Sequence, residues 1–158
     1  MSRRPPSATD AAGARFAAAV AAQDAAGLCA VLADEVDFQG LTPGRHWQAA
    51  TGLAVAQDVI LGHWFGPGRR VTRLCSVTTG DVAGRAHVAY RLRVEEAGRD
   101  YIVEQQAYYQ TDAGRISWLR VLCSGYQPAG AHPTEDAGRG AAPRDAWRPP
   151  RTGTLATG

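Results

Sequence analysis

The chain has no lysine: all seventeen of its basic residues are arginine. Fifteen acidic residues offset them to a formal net charge of +2, which gives no strong bias toward nucleic acid or acidic partners. Arginine used this way, beside abundant Ala and Gly, reads as GC-rich coding rather than as a binding device. Cysteine is scarce and odd in number. Cys29, Cys75 and Cys123 form no CxxC pair and no Cys-His zinc spacing, so no metal site is expected. Each sits among apolar neighbours, as buried free thiols do, and reduced thiols in the cytoplasm are the expectation. No apolar run approaches ~18 residues, and the opening MSRRPPSATD lacks the apolar core of a signal peptide. A soluble, intracellular protein with no membrane partner is therefore expected.

What is present organises itself around one hairpin. Residues 85–95 and 100–109 each alternate polar and apolar side chains, and Ala97-Gly98 lies between them. A two-residue loop there sets Glu96 opposite Arg99, Arg91 opposite Glu104, Tyr90 opposite Gln105 and Leu92 opposite Val103. The period of two then puts Val88, Tyr90, Leu92, Val94, Tyr101, Val103, Gln105 and Ala107 on one face. His87, Arg91, Arg93, Glu104, Gln106 and Tyr108 fall on the other. This pair reads as the centre of a curved antiparallel sheet that cups a pocket.

The chain's 158 residues suit one domain with a core. Residues 1–8 read as a flexible basic arm. Thr9 or Asp10 is the expected cap of a first helix to about Ala22, with Phe16 and Val20 on one face. Asp24 caps a second helix, with Leu28, Val31 and Leu32 on one side and Ala33-Asp34-Glu35 ending it. Short strands follow at 36–39 and 45–47. A third helix begins at Gly52, carries Leu53, Val55, Ala56, Val59, Ile60 and Trp64 as its apolar stripe, and stops at Gly66-Pro67-Gly68. Strands at 71–79 and 116–124 flank the hairpin. The last has two possible registers: one turns Trp118, Arg120 and Leu122 to the Tyr90 face, the other Leu119, Val121 and Cys123. Residues 128–158, rich in Gly, Ala, Pro and Arg, read as a disordered tail.

Several of these residues resemble a known family. Phe16, the run Asp24-Ala25-Ala26-Gly27-Leu28, the run from Leu32 to Phe38, and Gly114-Arg115-Ile116 resemble motifs of the nuclear transport factor 2-like (NTF2-like) superfamily, also called SnoaL-like or cystatin-like. The resemblance covers residues 9–127. It implies an α+β cone: three N-terminal helices packed on a strongly curved antiparallel sheet, closing over a cavity for a small, mostly apolar ligand. Scaffold motifs of this kind say little about activity. By resemblance to the steroid isomerases, Phe16 stands where an oxyanion-donating Tyr would be and Gly40 where the base would be, so enolisation loses both polar groups. The epoxide hydrolase type resembles an R-x-D strand, which Arg91-Leu92-Arg93-Val94-Glu95 does not supply. Dehydratases and cyclases of the family use a His-Asp pair, for which His63 with Asp37 or Asp58 is available.

The candidate site is then His63 and Asp37 as catalytic groups, with Tyr90, Gln105, Trp64, Tyr109, Trp118 and Phe16 lining a ligand cavity. Tyr90 and Gln105 carry the expectation, because a buried phenol and amide need partners and can orient a ligand carbonyl or hydroxyl. Arg91 and Glu104 read as a cross-strand ion pair on the outer face, and that face is the expected homodimer surface. No cofactor and no metal are expected. The function expected is binding of a small apolar molecule. The alternatives are a cofactor-free lyase, isomerase or cyclase, and a non-catalytic interaction module.

Overall fold

Ser7 opens the first helix, α1 (Ala8–Ala21), in a computed structural model that describes residues 5 and 7–131. The Ser7 hydroxyl accepts from the Asp10 amide at 3.1 Å, and the Asp10 carboxylate accepts from the Ser7 amide at 3.0 Å. This is a reciprocal capping box, so the cap is Ser7, with Asp10 as its partner rather than the cap itself. The expected tail, apart from residues 128–131, and most of the expected arm lie outside the described residues. Ala12, Phe16 and Val20 follow at helical spacing along the buried face of α1. Gly13 sits among them because the Tyr109 ring presses on that point: a Cβ there would lie 2.3 Å from the phenol oxygen.

The second helix, α2 (Ala25–Val31), is shorter than expected. Leu32 already begins strand β1 (Leu32–Thr42), where Val36, Phe38 and Gly40 alternate inward. β2 (Arg45–Thr51) pairs with it. Only then comes the third helix, α3, which opens as one α-helical turn at Gly52–Ala54 and continues as a π-helix over Val55–Trp64. The expectation of three N-terminal helices is corrected accordingly: two are N-terminal and the third lies between strands. The apolar stripe also differs. Val55, Val59, Ile60 and Trp64 are buried at spacings that suit i→i+5 bonding, whereas Leu53 is exposed.

Strands β3 (Arg69–Val82), β4 (Arg85–Glu96), β5 (Arg99–Asp112) and β6 (Arg115–Cys123) complete the sheet, and the short β7 (Gln127–Pro128) pairs with β5. The main order is β2-β1-β6-β5-β4-β3. β1 and β6 run parallel and the other pairs antiparallel, so the sheet is mixed rather than wholly antiparallel. Register shifts in the β3–β4 and β5–β6 pairs curl it around the helices, as bulges do.

The β4–β5 register is the one expected, with Tyr90 opposite Gln105 and Arg91 opposite Glu104. The Arg91 guanidinium donates to Glu104 on the outer face. For β6, the loop is two residues long and a bulge follows, so Leu119 meets Tyr109 and Cys123 meets Gln105. Leu119, Val121 and Cys123 therefore face inward. The core fills the space between this concave face and the three helices.

Candidate functional site

The wide end of the cone holds a cavity of about 390 Å³ between the end of α3, the β1–β2 turn and the segment after β6. Each wall has a local cause. The π-helical end of α3 carries Trp64 and His63 to the mouth, and its terminal carbonyls need partners. Arg69 donates to the carbonyls of His63 (2.9 Å) and Trp64 (3.3 Å), a cation placed at a helix C-terminus. The Tyr126 hydroxyl donates to the same Trp64 carbonyl at 2.5 Å. Arg69 also pairs with Glu96 at 3.1 Å and lies over the Tyr126 ring. Burial opposes the Arg69 charge, and Glu96 with Tyr126 more than offsets it, so its pKa is raised.

Trp64 reaches close to β1 because residue 40 has no side chain: a Cβ on Gly40 would stand 2.8 Å from the indole. Phe38 and Trp47 pack on the same indole. Trp47 in turn donates its Nε1 to the Thr42 hydroxyl at 2.8 Å and stacks near His63, ring centres 5.0 Å apart. The His63 Nδ1 lies 2.6 Å from the Asp58 carbonyl, which can only accept. The Nδ1–H therefore donates to that carbonyl, which leaves Nε2 as the ring atom turned away from α3's backbone.

Gln105 forms part of the inner wall, 1% exposed and the only polar residue fully buried among the described residues. Its Oε1 accepts from the Tyr90 hydroxyl at 2.5 Å. Its Nε2 has no hydrogen-bond partner, and neither has Nε1 of Trp64; these are two of three such buried side-chain atoms among the described residues. A buried donor left unpaired costs about 1–3 kcal/mol, so two of them on residues of one cavity wall need an explanation.

The other expected site residues are placed elsewhere. Tyr90 stands behind Gln105, not on the cavity surface, and meets Phe16 edge-on. Phe16 and Tyr109 fill the narrow end of the cone as core; Tyr109 donates to the Thr9 carbonyl at 2.6 Å and accepts from the Gly13 amide. Trp118 is turned out by the β6 register and lies between Arg85 and Arg120 on the outer face. Asp37 is also outside, paired with Arg120 at 3.0 Å, so a His63–Asp37 pair does not form. Asp58 is exposed and meets His63 through its backbone only. A wider groove of about 1010 Å³ passes Asp34, Asp37 and Arg115, but it is open to solvent and its carboxylates at Asp34 and Asp37 are already ion-paired. Residues that sequence reasoning missed are Tyr126 and Arg69, while Cys123 came inward in one of the two β6 registers. Tyr126 lies between β6 and β7, and only its place in space marks it.

A curled sheet with two helices before it and one inserted is an architecture that solved structures share. An LEH-like epoxide hydrolase of M. tuberculosis is 14% identical, with 74% of this chain and 83% of that one covered and a TM-score of 0.56. An NTF2-like protein of Burkholderia thailandensis is 13% identical, with 73% and 90% covered and a TM-score of 0.58. The fold is NTF2-like. Bal32a, from a soil-derived mobile gene cassette, is 20% identical, with 76% and 92% covered and a TM-score of 0.52. No family model and no curated protein matches the sequence. Similarity at this level establishes the NTF2-like architecture and leaves the chemistry to the residues. Among the described residues, no helix is long and apolar enough to cross a membrane, and no cluster of His, Cys, Asp or Glu could hold a metal.

Proposed function

We propose that the NTF2-like cavity binds a small, mostly apolar molecule that presents a hydrogen-bond acceptor. The observation that carries this is the pair of unpartnered donors, Gln105 Nε2 and Trp64 Nε1, on residues that line a hollow walled also by Trp47, Phe65, Pro43 and Tyr126. Its size lies in the range used for small ligands. Solved structures of this fold include a protein described as an epoxide hydrolase, which supports a small-molecule role for the cavity.

A second reading has one observation behind it. His63 lines the cavity with its ring held through Nδ1 by the Asp58 carbonyl, which is the placement a general base for a cofactor-free lyase, isomerase or cyclase requires. The homodimer belongs to the proposal too: Leu122, 54% exposed, lies on the outer face opposite Gln106, on the same strand face as Arg120 and Trp118.

Native mass spectrometry of the protein from its own host tests both. The expected result is a dimer with one small molecule per subunit, lost in the W64F/Q105L variant and kept in H63Q. A protein that carries nothing, and that no neutral apolar compound stabilises against heat, contradicts the binding role.

A further inference from the structure

We infer that Gln23, at the end of α1 and outside the cavity wall, is the residue that positions the cavity's mouth. The inference rests on the binding role proposed above and adds a positioning residue to that site.

The backbone at Gln23 has the form that usually surrounds a glycine. Its amide donates to the Val20 carbonyl at 3.0 Å, and the Asp24 amide donates to the Ala19 carbonyl at 3.0 Å, the two bonds that close a helix around one left-handed residue. Residue 23 holds that position, with φ of 50°. Glycine adopts it freely, whereas a Cβ is crowded there. A glutamine kept at such a point is strained, and the strain persists only where surrounding structure holds it.

The side chain supplies that hold. Nε2 donates to the Phe65 carbonyl at 3.1 Å and to the Arg69 carbonyl at 2.8 Å, and Oε1 accepts from the Val71 amide at 3.0 Å. Both amide hydrogens are used, and three backbone partners of fixed role leave the group only one way round. Arg69 and Val71 begin β3, an edge strand, so the Gln23 amide stands where the peptide group of a neighbouring strand would.

These bonds reach the site directly. Phe65 and Arg69 flank the Gly66-Pro67-Gly68 loop, and both line the cavity. The last carbonyls of a helix lack partners within it. Arg69 takes those of His63 and Trp64, and Gln23 takes that of Phe65. Gln23 also fixes the backbone of Arg69 itself. One amide therefore anchors the end of α3 twice, once by its own bond and once through the guanidinium that holds the other two carbonyls.

The test compares 15N-labelled wild type, Gln23→Gly and Gln23→Glu. Glycine suits the left-handed backbone but has no amide. Glutamate keeps the length and can accept from Val71, but gives nothing to the two carbonyls. Phe16→Leu, at the narrow end of the cone, is the control for stability. The probe is cyclohexanone, an apolar ring with one acceptor oxygen. In Gln23→Gly the Val71 amide is expected to exchange with D2O at least about tenfold faster, and the Trp64 indole resonance to move. Cyclohexanone should bind about tenfold weaker, as it would to a mouth formed a tenth of the time. Gln23→Glu should weaken the probe too, while Phe16→Leu lowers the melting temperature and leaves its affinity unchanged. A plain helix cap would give a Gln23→Gly protein that melts higher and binds as the wild type does, which overturns the inference. A faster Val71 amide with unchanged affinity, or an equal loss of affinity in Phe16→Leu, overturns it as well. If the wild type does not bind cyclohexanone at millimolar concentration, the binding role falls. The Val71 exchange rate and the Trp64 resonance then decide by themselves whether Gln23 positions the mouth.

Discussion

Gly40 shows how one missing side chain shapes the site. Trp64 occupies the space that any larger residue at position 40 would need, with Phe38 also within 3.1 Å of the would-be Cβ. The steroid isomerase base that the family resemblance would put at this position therefore has no room, and its absence is a packing consequence of the indole. Gly40→Ala tests this. The methyl group must displace the ring, and overpacking of this kind costs about 1–3 kcal/mol. Urea unfolding should show that loss, and the Trp64 indole signal should shift. An unchanged midpoint and an unchanged signal would mean that the indole does not rest on Gly40.

At the level of elements, three hairpins turn on the same dipeptide. Ala83, Ala97 and Ala113 have φ of 51°, 50° and 49°, each followed by a glycine at positive φ. That is the two-residue loop whose twist matches paired strands, and alanine is poorly suited to its first position. Ala→Asn at all three should stabilise the protein by roughly 0.5–1 kcal/mol each, read from the denaturant midpoint at unchanged slope. No gain would show that the turns relax at no cost to alanine. The β4–β5 pair was legible in the sequence because alternation and a two-residue turn fix one register together. The β6 register was not, because a bulge opposite Gln110 inserts one residue, and a one-residue shift exchanges Trp118 for Leu119. The end of α3 was half legible: its apolar residues were found, but the wider π spacing that aims His63 and Trp64 at the mouth has no simple sequence mark. Gln105 and Trp64 were readable as cavity residues. Tyr126 and Arg69 were not, since α3 and the segment after β6 meet only in the folded chain.

For the whole molecule, three buried phenols link stability to alkaline pH. Burial raises the pKa of Tyr90, Tyr109 and Tyr126, most strongly opposing ionisation of Tyr90 and taking Tyr126 well above the usual range. Unfolded phenols ionise near 10, so below that pH both states hold their protons and the stabilising contribution is complete. Above it the unfolded chain gives up protons that the folded one keeps. Stability should therefore fall as pH rises past about 10, by up to about 1.4 kcal/mol per unit for each phenol still protonated in the fold. Denaturant curves between pH 8 and 11, compared with Y90F, check the sign and show a shallower slope in the variant. The most direct measurement of all concerns the cavity itself: a crystal structure of the protein soaked in cyclohexanone. Density for the ring between Trp64 and Tyr126, with its oxygen within hydrogen-bond distance of Gln105 Nε2 and Trp64 Nε1, is the expected result. A hollow closed by its own side chains, or Gln105 bonded to a protein group through Nε2, would contradict the account.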